Sequence, residues 1–384
     1  MRILIAVHTY WPDNNGVQMV TQYIAEGLAK SNEVMVVTEL KDSYCKNEDF
    51  NNVHIERINV RNKRGQFVGD KTKFYKLIEG YTPDVLISVC TQSWPFDWLF
   101  NKLNLLPGKK ILYTHGFSGL LKKYPVMQDL LRGRLNALKY HLHWKKYYRT
   151  AYKYMREYDL ITHLSENNIS FWYAQKHHLK NNAILGNAVE DIFWENNVLK
   201  RADKNELVRY VYIANYDSNK NQKMLLKVFY LMDIEDVCLT MVGSLENEYY
   251  EELAALKKQL DEKYGKKNVE LLTQIPRNKI PDILYHSDIF VCCSKKEEYP
   301  IMLCEAAAVG LPIISTDVGH ASKMQGCLVV NGEIEMKEAM EYLGKNPDER
   351  IKRGMLLRKH AECDYKISEK VSWLEKQIEL LNGD

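Results

Sequence analysis

Short apolar runs alternate with amphipathic stretches of ten or more residues along most of this chain. The runs Ile3–Val7, Val34–Thr38, Val53–Val60, Val85–Val89, Ile111–His115 and Leu160–Leu164 read as strands. Helical patterns beginning near Val17, Lys71 and Trp94 lie between most of them. The alternation then restarts with Val208–Ala214, Val237–Gly243, Val269–Leu272, Ile289–Cys293, Pro312–Thr316 and Cys327–Val330. Strand–helix alternation run twice predicts an α/β protein with two parallel sheets, each covered by helices on both faces. The pattern breaks around Asn181–Glu206, at Gly186-Asn187 and the polar run from Lys200 to Glu206. This predicts domains over residues 1–186 and 187–365. A last helix at about Ser368–Leu381, within residues 366–384, is expected to pack back toward the N-terminal domain. Open α/β sheets place ligand sites at strand C-terminal edges, so a cleft between two facing edges is the expected active site.

Composition narrows the picture modestly. At 384 residues the chain has room for two or three domains, each with its own core. A net charge of +3 is too mild to imply a nucleic-acid partner. The eight cysteines include no C-x-x-C pair, and Cys90, Cys238, Cys292, Cys293 and Cys327 lie in or beside apolar runs. They read as reduced and buried, which suits a cytoplasmic protein. Met1–Val7 is too short for a signal peptide and reads as a first strand, and no window approaches an 18-residue apolar span.

The segment Glu297-Glu298-Tyr299-Pro300-Ile301-Met302-Leu303-Cys304-Glu305 carries the most chemistry. It follows the apolar run that ends at Ser294 and runs into a helix that Gly310-Leu311-Pro312 should stop. Glu297 is expected at the strand end, with Glu305 about two turns into the helix. A helix N-terminus is an anion site worth about half a positive charge. Carboxylates beside such a site are useful when the anion also carries hydroxyl donors. A sugar attached to a nucleoside diphosphate is a ligand of this kind.

This segment, with the Ala-rich helix and Gly-Leu-Pro after it, resembles the E-x7-E signature of family-4 glycosyltransferases. Those are retaining, nucleotide-sugar-dependent enzymes of the GT-B fold, built from two Rossmann-like domains. Five weaker matches follow the family's order: Pro12 to Gly16, Tyr113-Thr114-His115-Gly116, Ile184 to Val189 around Asn187, Lys220-Asn221-Gln222, and Met241-Val242-Gly243. The resemblance implies an acceptor-binding N-terminal domain and a donor-binding C-terminal one. It implies that Glu297 faces the donor sugar and that His115 hydrogen-bonds a hydroxyl near the reacting carbon, and both are assigned as catalytic. Donor binding is assigned to Gly16, Asn215, Lys220, Glu298, Tyr299, Ile301, Met302, Leu303 and Glu305. Among these, Glu305 grips the ribose diol, Lys220 neutralises the leaving diphosphate, and the backbone N–H groups of Ile301–Leu303 add to the anion site. The family works without metal, and no D-x-D pair stands anywhere in the chain. No cofactor is expected beyond the nucleotide-sugar substrate. The chain departs from the family in the Pro12 to Gly16 loop, where one glycine remains of the usual pair, and in three further places. Asn215 stands where an Arg is usual, five residues before Lys220, while His320 replaces a Gly and Lys323 a Glu.

The implied function is transfer of a hexose-type sugar, from a UDP-sugar by preference or a GDP-sugar, to a glycan or lipid-linked acceptor in cell-surface polysaccharide or glycoconjugate synthesis. A nucleotide-sugar epimerase of the same fold, and a partner subunit without turnover, are the alternatives. Dinucleotide oxidoreduction is disfavoured because no G-x-G-x-x-G follows the first strand. His141, His143, His177 and His178 lack the spacing of a metal site. Between Arg132 and Arg156 eight cations (Arg132, Arg134, Lys139, Lys145, Lys146, Arg149, Lys153 and Arg156) interleave with Tyr140, Trp144, Tyr147, Tyr148, Tyr152 and Tyr154, with no acidic residue between. One helix with an aromatic core face and a solvated cationic face is the favoured reading. Peripheral contact with an anionic membrane is the other.

Overall fold

The computed structural model describes residues 1–13, 16–63, 65–117, 135–195 and 207–383. The chain divides into two compact units, Met1–Gly186 with Ile367–Asp384, and Asn187–Lys366. The polar run from Lys200 lies outside the described residues.

The first unit contains strands β1 (Arg2–Ala6), β2 (Glu33–Glu39), β3 (Asn47–Phe50), β4 (Val53–Ile58), β5 (Val60–Lys63), β6 (Gln66–Gly69), β7 (Val85–Val89), β8 (Lys109–Tyr113), β9 (Leu160–His163) and β10 (Asn182–Ile184). Eight of them form one sheet in the order β10-β9-β8-β7-β1-β2-β4-β3. All its pairings are parallel except that of β3 with β4. Ile3, Leu4, Ile5 and Ala6 are buried in succession, as expected of a central strand covered on both faces.

The apolar run Val53–Val60 does not form one strand. It breaks at Asn59, whose backbone N–H and side-chain amide both donate to Asp70, at 3.1 and 2.7 Å, while its carbonyl accepts from the Asp70 N–H at 2.9 Å. The chain beyond it pairs as a separate β5–β6 hairpin.

The C-terminal helix Ile367–Gly383 belongs to this unit and packs on the first helix, Gly16–Leu28. The two approach so closely at Gly27 that a Cβ there would lie 2.3 Å from Val371 Cγ2.

The second unit contains β11 (Val208–Ile213), β12 (Val237–Val242), β13 (Asn268–Leu272), β14 (Ile289–Cys292), β15 (Ile313–Thr316) and β16 (Leu328–Val330). They form an all-parallel sheet in the order β13-β12-β11-β14-β15-β16. Parallel strands all end on one edge, so the loops after β11, β13, β14 and β15 gather there. Helix Ile301–Ala308 leaves that edge, with Ala306, Ala307 and Ala308 fully buried against the core.

No helix among the described residues is long and apolar enough to cross a membrane. None of the eight cysteines is paired. Cys292, Cys293 and Cys304 are buried, whereas Cys90, Cys238 and Cys327 are only partly so, which corrects the expectation for those three.

Candidate functional site

In the second unit, two loops at the strand C-terminal edge are stitched together. Residues 214–221 follow β11 and residues 293–300 follow β14. Asn219 Nδ2 donates to the Lys296 carbonyl at 2.8 Å, and the Lys295 N–H donates to the Asn219 carbonyl at 2.7 Å. Tyr212, buried at the end of β11, donates to the Lys220 carbonyl at 3.0 Å and shares a 2.8 Å hydrogen bond with Ser294 Oγ. Thr316 Oγ1 closes the network on the Ser294 carbonyl at 2.6 Å. Asn221 adopts φ +59, a left-handed turn that Asn tolerates better than most residues, just before helix Gln222–Leu231.

These constraints bring Lys220 Nζ within 2.5 Å of Glu297 Oε1, with both side chains mostly buried. A cation and an acceptor at adjacent atoms can meet a phosphate and the hydroxyls of a sugar attached to it.

Glu305 is nearer the helix start than expected, because the helix begins at Ile301 and places it one turn in. Pro300 precedes the helix as its cap rather than lying in its first turn. The Leu303 N–H donates to the Pro300 carbonyl at 3.2 Å, so of the Ile301, Met302 and Leu303 amides that one is engaged within the helix end itself. Glu298 and Tyr299 lie in the partly buried loop before it. Asn215 is exposed at the end of β11, and its carbonyl accepts from Gln222 Nε2 at 2.9 Å.

Asn187 is a buried support of this loop, its Nδ2 donating to the Tyr299 carbonyl at 3.0 Å. His320 is buried and stacks on Tyr299, with ring centroids 3.7 Å apart. Burial pushes its pKa down to about 3, so it packs as a neutral ring. Gly319 beside it has φ +59, and a Cβ there would lie 2.5 Å from Pro300 Cδ. The Gly319-His320 pair therefore props the acidic loop from below, whereas Lys323 points out from a short turn and is exposed. Gly243 is needed for packing, since the Tyr216 ring occupies the space a Cβ would take.

Sequence reasoning missed Arg277. It follows β13 on the same edge, and its guanidinium donates from Nη2 to Glu305 Oε1 and from Nε to Glu190 Oε1, the latter at 2.7 Å. The available signal was its place just beyond a strand end, at Pro276-Arg277.

In the first unit the strand ends are built differently. Cys90, Gln92 and His115 all have positive φ, at +64, +60 and +48. Such conformations cost of order 1–3 kcal/mol each for residues with a side chain and cluster at functional sites. His115 is partly buried 4.0 Å from the Tyr113 ring, and its Nε2 has no hydrogen-bond partner among the described residues. Burial pushes its pKa down to about 3. The Gln92 N–H donates to Tyr147 OH at 3.0 Å, and that hydroxyl donates to Asp97 at 2.9 Å. Burial raises Asp97 to about 6.

Gly16 is the exposed first residue of the first helix, and Asn14 and Asn15 just before it lie outside the described residues. The loop after β1 is anchored by Arg57, which is almost fully buried and donates to the Trp11 carbonyl at 2.7 Å and to the Cys45 carbonyl at 3.0 Å.

The aromatic, basic segment forms helix Leu135–Met155. Tyr148, Ala151 and Met155 are buried, and Trp144, Tyr147, Tyr152 and Tyr154 are partly buried. Lys139, Lys145, Lys146, Arg149, Lys153 and Arg156 are exposed. Arg132, Arg134 and the side chains of Tyr140 and His141 lie outside the described residues. Among the described residues no group of three or more His, Cys, Asp or Glu side chains is placed to hold a metal ion.

Residues 195–353 match the family described as glycosyl transferases group 1. A 53-residue stretch is 40% identical to the provisionally assigned teichuronic acid biosynthesis glycosyltransferase TuaC of Bacillus subtilis (strain 168), a match that spans 14% of each chain. The fold is similar to that of sucrose-phosphate synthase from Thermosynechococcus elongatus, with a TM-score of 0.76 at 12% identity, covering 99% of this chain and 98% of that one. It is also similar to Anabaena HepE in complex with UDP and glucose (TM-score 0.72, 12% identity, 99% of each chain). WaaG, a glycosyltransferase involved in lipopolysaccharide biosynthesis, is similar over all of both chains (TM-score 0.67, 13% identity).

Proposed function

We propose that this chain, which belongs to the group 1 glycosyltransferases through its residues 195–353 and has the GT-B fold, transfers a hexose-type sugar with retention, without a metal, from a UDP-sugar to a glycan or lipid-linked acceptor of the cell surface. The observation that carries this reading is the Lys220–Glu297 contact at the sheet edge, with Glu305 one turn into the helix that follows the same loop. Breaking the anomeric bond leaves negative charge on the departing phosphate, and a fixed cation there stabilises the transition state more than the ground state. Lys220 is that cation. Glu297 accepts from sugar hydroxyls, Glu305 from the ribose diol, and the Ile301 and Met302 amides face the diphosphate. His115 in the first unit, neutral at physiological pH, hydrogen-bonds a substrate hydroxyl. The UDP and glucose bound by HepE support the choice of base, and the TuaC resemblance supports a cell-surface polymer as product.

The exposed cations of helix Leu135–Met155 are read as a contact for anionic lipid, where a lipid-linked acceptor would be met. Sedimentation with liposomes that is unaffected by anionic lipid would remove this part of the proposal.

Nucleotide release from a panel of UDP-, GDP- and ADP-sugars, with candidate acceptors supplied, tests the main reading. Release from one donor class that is abolished by Glu297→Ala is expected. Sugar interconversion without transfer would instead identify an epimerase, and nucleotide binding without turnover a partner subunit.

A further inference from the structure

We propose that Arg277 is the positioning residue for the nucleoside half of the donor site, holding the Glu305 carboxylate in the orientation that the ribose 2′,3′-diol requires. The inference rests on the donor reading above and adds a residue to it.

In the acidic segment Glu297 and Glu305 each have a cation from a different strand end. Lys220, after β11, meets Glu297, and Arg277, after β13, meets Glu305. The pairs differ in rigidity. A lysine is a point charge on a flexible stem, whereas the Arg277 fork is held at three places. Its Nη2 is on Glu305, its Nε is on Glu190, and its guanidinium lies 4.7 Å from the centre of the Phe193 ring.

Glu305 itself is 4% exposed, on a helix whose neighbouring Leu303, Cys304 and Ala306 are fully buried. With so little water available, the guanidinium determines where this carboxylate points. Arg277 engages Oε1, and a carboxylate has two oxygens that accept hydrogen bonds. A diol presents two donors at a fixed spacing, so its recognition depends on that orientation. Arg277 also supplies a fixed positive charge on the edge where Asn215 supplies none.

The test is titration of the full chain with UDP and with 2′-deoxy-UDP, which lacks one hydroxyl of the diol. The wild type is expected to prefer UDP by about tenfold or more, the usual worth of a hydrogen bond to a charged group. In Arg277→Gln that preference should fall toward one, with most of the loss on the UDP side. The donor KM should rise while kcat changes little. Arg277→Lys keeps the charge but loses the fork, and is expected to fall between the two.

A folded Arg277→Gln protein that keeps the wild-type preference would overturn the proposal, as would a wild type that does not distinguish the two nucleotides. If Arg277→Gln does not fold, Glu190→Gln removes the far anchor of the same guanidinium and must lower the preference. An unchanged preference there overturns the proposal equally. Should GDP or ADP bind in place of UDP, the same comparison is made with its 2′-deoxy form. A wild type that binds no nucleoside diphosphate would defeat the donor reading itself.

Discussion

The strand ends of the two units are held by different means. In the second unit the edge is held by charge pairs and hydrogen bonds between loops, with Lys220 on Glu297, Arg277 on Glu305, and Tyr212 joining Lys220 to Ser294. In the first, the ionisable side chain of interest is a neutral imidazole on strained backbone, and Cys90 and Gln92 are strained likewise. The second unit also bends its backbone, at Asn221 and Gln274, but adds the charge pairs. A site that must neutralise phosphate charge needs fixed ions. A site that must approach a hydroxyl needs a backbone bent to present one group. Charges leave a record in residue types, whereas bent backbone with ordinary residues leaves almost none.

The largest effect that would break this contrast is expected at Lys220. Lys220→Ala should lower kcat by about 10²- to 10³-fold, as loss of a transition-state charge partner does elsewhere. A loss confined to donor KM would show that Lys220 binds the ground state only.

His115→Ala is expected to cost less, about 10- to 100-fold, the worth of one hydrogen bond to a charged or developing charge. Because His115 titrates near 3, the pH–rate profile of the wild type should lack a His115 inflection between pH 6 and 7. An inflection there that disappears in His115→Ala would mean the imidazole ionises during turnover, and the contrast between the units would fail.

Tyr212→Phe tests whether the loop stitching matters. Removing the hydroxyl takes a partner from Ser294 Oγ and leaves the Lys220 carbonyl with only the weaker Cys293 Sγ donor at 3.3 Å, and should destabilise the protein by about 1–3 kcal/mol. An unchanged melting temperature would show that the stitching is incidental.

The smallest effect concerns acid stability. His115, His163 and His320 are held near 3, 4 and 3 by burial, against an ordinary value of 6.5. The unfolded chain takes up these protons below pH 6.5 while the folded chain does not, so their contribution to stability is lost as pH falls from 6.5 toward 4. Asp97, raised to about 6, acts in the opposite sense: the folded chain protonates it first, which adds stability as pH falls from 6 to 4. Three imidazoles against one carboxylate predict a net loss on this account. His320→Phe should lessen the drop in Tm between pH 7 and pH 5.5 by about 2–4 °C, the shift that ~1 kcal/mol produces in a domain of this size. An equal drop in both proteins would show that His320 is protonated in the folded state.

Much of the architecture was legible because buried strands are apolar on both faces. β1, β7 and β14 therefore stand out as continuous runs between helical patterns. The edge strand β3, Asn47–Phe50, is polar and half-exposed, so no run announces it. The β5–β6 hairpin was hidden in an apolar run that continues across Asn59, because the bonds that break the strand come from Asp70, eleven residues away. Glu297 and Glu305 were named from the E-x7-E resemblance and Lys220 from a separate match, so that no one motif joined them. The distance of Lys220 from Glu297, 77 residues along the chain and 2.5 Å in space, was in neither.

Residue order alone determined the double α/β alternation and its parallel sheets, since burial on both faces and helical crossovers leave periodic traces in the chain. It also marked where two carboxylates and a lysine meet strand ends. Only the tertiary structure decided which charges pair, that His320 and Asn187 brace the acidic loop, and that Arg277 reaches Glu305 from a third strand end. Those outcomes depend on how strand edges and loops converge in space. Such convergence follows from the register of the sheet, which no local stretch of sequence encodes.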